Sequence, residues 1–91
     1  MSTIEYDKEL GVQNFDLMSL VLQHYFEDQY FENLKQQYNE KDIYQAMYVC
    51  VKRKFFNGKI KAIKTIPGKV FIIGKAESIS SIGELFINNH S

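Results

Sequence analysis

The hydrophobic period of the chain changes once, shortly after residue 51, and that change limits what the chain can fold into. Upstream of it, Ile43, Ala46, Met47, Cys50 and Val51 recur at i, i+3, i+4, i+7 and i+8, the spacing that places side chains on one face of a helix. Lys54 would fall back on that apolar stripe, so the helix is expected to end at about Arg53 or Lys54. Asn57-Gly58 follows as a stop or turn signal. Downstream, residues 59–66 and 69–73 are rich in β-branched side chains and are split by Pro67-Gly68, which predicts a β-hairpin. Pro-Gly favours a type II turn, whose twist suits a tight two-residue hairpin poorly, so a wider tip is expected. Ile63 breaks the alternation and marks an expected bulge.

Two helical runs precede the stripe. Phe15, Met18, Leu22, Tyr25 and Phe26 fall at helical spacing, and Leu17, Leu20 and Val21 widen the face. This predicts a helix over residues 15–26, buried on much of its circumference and capped by Asn14 or Asp16. After the polar break Glu27-Asp28-Gln29, the residues Tyr30, Phe31, Leu34 and Tyr38 predict a separate short helix with Asp28 as its cap. Asn39 caps the third helix, with Glu40 and Asp42 in the first turn, where the helix dipole favours acids. A last short helix is expected over residues 80–88. There Ser81-Ile82-Gly83-Glu84 fits a capping box. Ser80 is the alternative cap, with Ile79 as a hydrophobic staple. Residues 1–13 show no clear period and read as an arm or lead-in to a domain over residues 14–91.

Ninety-one residues make one domain. The formal net charge is zero, but the charges are split along the chain. Residues 1–47 carry nine acids against three lysines, residues 48–91 carry eight bases against Glu77 and Glu84, and no acid lies between Lys52 and Lys75. Such asymmetry points to a polyanion-facing half. The single cysteine, Cys50, excludes an intramolecular disulfide and a thiolate metal cluster within one chain. No stretch approaches the length of a membrane span, and the acidic, polar start is unlike a signal peptide. A cytoplasmic protein is expected, with no membrane contact.

The order helix, short helix, amphipathic helix, hairpin, helix is that of a winged helix-turn-helix. The expected fold is α+β and mostly α, with three helices, a two-stranded wing and a C-terminal helix. The residues Ile43-Tyr44-Gln45-Ala46-Met47, then Phe55-Phe56-Asn57-Gly58, then Ile79-Ser80-Ser81-Ile82-Gly83-Glu84-Leu85-Phe86-Ile87 carry a resemblance. They resemble the small winged-helix proteins of low-GC Gram-positive bacteria and their phages. The Ser-x-x-Gly after the hairpin is similar to the Thr/Ser-x-x-Gly that follows the wing in MarR-like and PadR-like regulators; Ser80 stands where Thr is usual. The resemblance covers roughly residues 16–89. It implies that the third helix is a recognition helix and the hairpin a wing.

Opposite the apolar stripe, the third helix carries Gln45, Tyr48, Val49 and Lys52, flanked by Tyr44 and Arg53. Gln can read adenine, and Lys and Arg can reach guanine or phosphate. Lys59, Lys61, Lys64 and Lys69 on the hairpin would contact phosphates. Double-stranded DNA is therefore the expected partner of a small DNA-binding transcriptional regulator. The alternative is a winged-helix adaptor that binds a protein and no DNA. Regulators of this shape commonly act as dimers, and the apolar excess on the first helix, with Phe15, Leu20 and Tyr25, suggests a homodimer surface there. Glu40 and Asp42 would repel phosphate at the helix end that often enters the groove. No catalytic, metal or cofactor site is expected. His24 and His90 lie far apart in sequence, with His90 in a tail expected to fray. No metalloprotease, nucleophile-elbow or phosphate-loop motif is present, and Cys50 falls on the apolar stripe as a small hydrophobe.

Overall fold

The computed structural model describes residues 4–90. Residues 1–3 of the expected lead-in and Ser91 of the expected domain lie outside them. Two strands, β1 (Ile4–Asp7) and β2 (Gly11–Asn14), are followed by α1 (Phe15–His24), α2 (Tyr30–Leu34) and α3 (Glu40–Lys52). Two longer strands, β3 (Phe56–Lys64) and β4 (Val70–Ile79), and the helix α4 (Ser81–His90) complete the chain. The strands form two separate antiparallel pairs, β1 with β2 and β3 with β4.

The core is built on α3. From this helix Ile43, Ala46, Met47, Val49 and Cys50 are buried, and they meet Leu17, Met18, Val21 and Leu22 of α1. Each large side chain taken fully out of water contributes about 1.5–3 kcal/mol. The inner face of β3–β4 closes the other side of α3 through Ile60, Ala62, Ile72 and Ala76. Tyr25 pins the edge of β4: its hydroxyl accepts the N–H of Ala76 at 3.2 Å, and its ring lies 4.8 Å from that of Phe56. Gly74 permits the close approach of the two strands. Its φ is +80°, and an added Cβ would strike the carbonyl oxygen of Lys59.

Caps follow the expected chemistry in three of four helices. The side-chain oxygen of Asn14 accepts from Leu17 N at 3.1 Å, and that of Asn39 accepts from Asp42 N at 2.9 Å. Ser80, the alternative candidate, caps α4. Its hydroxyl accepts from Gly83 N at 3.1 Å and donates to the carbonyl of Lys54 at 2.7 Å, while its N–H donates to the carbonyl of Phe55. Gly83 is required because a Cβ there would meet the Phe55 carbonyl and the Ile79 side chain. The Ser-x-x-Gly segment thus docks the start of α4 against the end of α3. For α2 the expected cap, Asp28, is displaced by Gln29, which sits at φ +59° and makes no side-chain cap bond.

The end of α3 is a Schellman turn without glycine. Lys54 adopts φ +62°, Lys54 N donates to Val51 O, and Phe55 N reaches back to Cys50 O at 3.0 Å. Strand pairing starts at once, from Phe56, so Asn57-Gly58 is inside the hairpin. It marks the bulge, between Asn57 and Gly58 rather than at Ile63. The tip is wide as expected, with Thr65 N bonded to Lys69 O and Gly68 N to Thr65 O.

The expected winged helix-turn-helix is not what the chain forms. Residues 4–14, read as an arm or lead-in, are a hairpin held by the register Ile4↔Asn14 to Asp7↔Gly11. The architecture is α+β with four helices and two separate two-stranded sheets. The added hairpin packs on α3, over the face that a recognition helix leaves open. α1 packs against α3 and α4, and the ring of Phe15 lies 5.9 Å from that of Phe86. His90 is not frayed from this cluster, since its ring lies 4.3 Å from Phe86 and 5.4 Å from Phe15.

A left-handed residue with a side chain costs roughly 1–2 kcal/mol, part of which glycine returns as chain entropy. Lys54→Gly is therefore expected to raise stability by about 0.5–1 kcal/mol in urea unfolding. A drop in stability would show that the turn at Lys54 is not the stop of α3.

Candidate nucleic-acid interface

The nine basic and polar side chains expected at the interface separate into two groups. Those on α3 are largely committed to holding the fold. Gln45 donates through its Nε2 to two carbonyls of the first hairpin, Leu10 at 2.8 Å and Val12 at 2.9 Å. Tyr48 is buried, with the ammonium of Lys64 4.9 Å and that of Lys52 5.7 Å from its ring centre. Lys64 also donates to the Leu10 carbonyl at 3.4 Å. Arg53 lies over Phe55 at 4.9 Å and Phe86 at 5.7 Å and donates to Gln13 Oε1 at 3.2 Å. Tyr44 is half-buried against Phe31, with ring centres 5.1 Å apart. Val49 is fully buried. Of the expected reading face, Lys52 alone has an exposed charge with no polar partner among the described residues.

The second group stands on β3–β4. Alternation along the pleat puts Lys59, Lys61 and Ile63 of β3 and Phe71, Ile73 and Lys75 of β4 on one outer face, all exposed. The register sets Lys59 directly opposite Lys75, Lys61 opposite Ile73 and Ile63 opposite Phe71. Directly opposed like charges destabilise a strand pair, so the Lys59–Lys75 pair is a concentration of positive charge that the hairpin keeps at a cost. Lys69 stands at the tip, 5.3 Å over the Phe71 ring. Among the described residues none of these lysines forms a salt bridge; the ion pairs join Lys35 to Glu32 and Glu40, and His24 to Glu27. Glu77, two residues beyond Lys75, bounds the patch.

Lys75 was absent from the sequence-based set because the second strand was expected to stop at Ile73. The signal was present in the chain: extending the alternation past Gly74 places Lys75 outward and Ala76 inward. The apolar side chains of the first hairpin were also missed, since no period betrays two four-residue strands.

Between the two hairpins lies an open groove of about 1100 Å³. Its floor is Tyr44, Gln45 and Ala46 of α3. One wall is the outer face of β1–β2, where Ile4, Tyr6 and Val12 are exposed; the other is the tip of β3–β4, with Ile66, Lys69 and Phe71. The first turn of α3 adds Glu40 and Asp42 to its border.

Elsewhere the described residues offer little chemistry. They contain no group of three or more His, Cys, Asp or Glu able to hold a metal ion. No helix among them is long and apolar enough to cross a membrane. Burial pushes the Cys50 thiol far above its ordinary range, which keeps it protonated and unreactive. Burial likewise pushes the Tyr30 phenol up to about 12. Its hydroxyl faces the sulfur of Met47 at 3.7 Å.

Asp7 accepts the N–H groups of Leu10 and Glu9, both at 2.8 Å, and these bonds hold its carboxyl below the usual value of 3.8. The sign follows from linkage. The bonds support the first hairpin fully above pH 4, and the support is lost as pH falls through the lowered value of the folded state. Gln45 is the second tie on this hairpin. Gln45→Ala removes two hydrogen bonds of about 1 kcal/mol each. It is expected to speed amide exchange in residues 4–14 about tenfold or more while α3 stays protected; unchanged exchange there would mean that the hairpin is held by something else.

No protein family, no curated protein and no solved structure matches this chain.

Proposed function

We propose that the chain is a small DNA-binding regulator that grips nucleic acid by its phosphates through the outer face of β3–β4. It does so without inserting a helix to read bases. The observation that carries this reading is the Lys59–Lys75 pair with Lys61 beside it. Three ammonium groups stand on one exposed ribbon, two of them opposed across the strands, with no carboxylate bridged to them among the described residues. A phosphate between opposed lysines relieves their repulsion, so the ligand restores what the free hairpin loses. Lys69 at the tip, over the Phe71 ring, extends the positive surface. Because phosphate contacts carry no sequence information directly, selectivity among duplexes is low. No chemical step is assigned to the protein.

A protein-binding adaptor is the second reading. It is favoured by Ile63, Phe71 and Ile73, which interleave with the lysines and stay about half exposed. Apolar side chains in that number suit a protein surface better than a duplex backbone.

Titration of a fluorescent mixed-sequence duplex separates the two. Neutralising three to five phosphates gives a slope of log affinity on log salt of about −3 to −4.5. Lys59→Glu with Lys61→Glu is expected to lower affinity at least tenfold. The same change turns the Lys59–Lys75 clash into an opposite-charge pair, so the hairpin should be as stable as before or gain about 0.2–1 kcal/mol. Absence of salt-sensitive binding by the unaltered protein would remove the DNA reading and leave the adaptor.

A further inference from the structure

We infer that the groove between the two hairpins is the site at which a second copy of this chain binds. The contact is two-fold and antiparallel, and each copy seats its β3–β4 tip against the other's groove.

Three observations meet here. The first is the exposure of the tip. Ile66 has the full accessibility of an unfolded residue, at 104 %, and stands beside Pro67 at the end of a wide turn. An isoleucine so placed buries none of its surface in its own domain and is available to pack on another.

The second is the character of the groove. Ile4 and Val12 are about half exposed and Tyr6 three-quarters exposed. The register puts Tyr6 directly opposite Val12, so they share one face of the hairpin, while Gln13 on the opposite face is buried. The first hairpin therefore turns its polar side inward, to Arg53, and its apolar side outward, into the groove. That inverts the usual arrangement of a two-stranded sheet on a core and leaves an apolar wall in water.

The third is charge. The groove's border is unevenly charged: the first turn of α3 brings Glu40 and Asp42 with Lys41 between them, a net negative edge, and the β3–β4 side brings Lys64 and Lys69. Among the described residues no salt bridge joins these walls within one copy; Glu40 reaches only Lys35, at 3.9 Å. A surface with a net negative edge on one side and lysines on the other is complementary to itself when turned by a two-fold rotation. The tip lysine of each copy then meets the α3 acids of its partner, and Ile66 meets Tyr6 and Val12. An isologous interface demands this kind of self-complementarity. The partner's tip fills a different region from the one expected on α1, whose apolar face is spent on α3 and α4. The outer lysines Lys59, Lys61 and Lys75 lie away from the tip, so pairing leaves these three free for phosphate and takes only Lys69 from that surface.

Light scattering on a sizing column tests the inference on the full chain, at concentrations on the order of 10 to 500 μM, where weak dimers show themselves. The mass is expected to rise with concentration from 10.7 kDa toward twice that value. Ile66→Asp and Tyr6→Asp, both at exposed positions, should hold the protein at the monomer mass without changing its circular dichroism. Asp42→Lys and Lys69→Asp should each weaken the dimer about tenfold or more, and the two together should restore it. A monomer throughout the range, or a dimer indifferent to Ile66→Asp, overturns the inference. So does a monomer whose groove variants instead lose sedimentation with anionic lipid vesicles, or lose an identified protein partner. Duplex binding is read separately on the Lys59 variants, so failure of one reading does not mimic failure of the other.

Discussion

The rest of this molecule depends on the burial of the middle of α3, from Ile43 to Cys50. One side of the helix meets α1, another the inner face of β3–β4, and the β1–β2 hairpin takes part of what would remain. Ile43 and the five consecutive residues Ala46 to Cys50 are shielded from solvent fully or nearly so. These buried side chains have little surface left to offer a partner. The same burial explains why the hairpin that follows is so firmly placed. Ser80 and Gly83 tie α4 to the turn at Lys54–Phe55, and Tyr25 ties β4 to the end of α1.

The split of charge along the chain acquires a spatial meaning from this arrangement. The basic half is not spread evenly over a surface. Lys64 and Arg53 are drawn back onto aromatic rings and carbonyls, where they serve packing. Lys59, Lys61 and Lys75 are left on the ribbon, close enough to repel one another. Selection for stability alone would alternate the signs across such a pair, as a cross-strand Glu–Lys costs nothing and contributes a few tenths of a kcal/mol. On the proposed reading the acids at the start of α3 do not face phosphate, because the ribbon and not that helix approaches it.

How far the fold could be read in advance depended on the length and regularity of each signal. The stripe Ile43 to Val51 announced α3 because five apolar positions repeat over two turns, and Asn39 announced its start because its side chain has one evident use. The hairpin was legible from β-branched content, and its wide tip from Pro67-Gly68. The end of α3 was misplaced in reason, though nearly right in position, because Lys54 adopts a conformation that usually advertises itself as glycine. The β1–β2 hairpin was invisible. Each of its strands has four residues, its tie to the core is a hydrogen-bonding glutamine rather than an apolar stripe, and its apolar face points outward. That one omission turned α3 into an apparent reading helix and gave Gln45, Tyr48 and Arg53 a role on DNA. The structure gives them bonds to Leu10, Val12 and Gln13 or stacking beneath lysine. The ribbon lysines Lys59 and Lys61 were found because they need only strand alternation to face outward. Lys75 was lost with the strand's last residues.

The central claim is that the ribbon, and not α3, is the surface presented to nucleic acid. Amide chemical shifts of the labelled protein, followed during addition of a short mixed-sequence duplex at low salt, test it most directly. Shifts are expected at residues 59–61 and 73–75, moving in fast exchange and collapsing as salt is raised, with residues 43–50 of α3 unmoved. Shifts concentrated along Tyr44, Gln45 and Tyr48, or no shifts at any ratio of duplex, would contradict it.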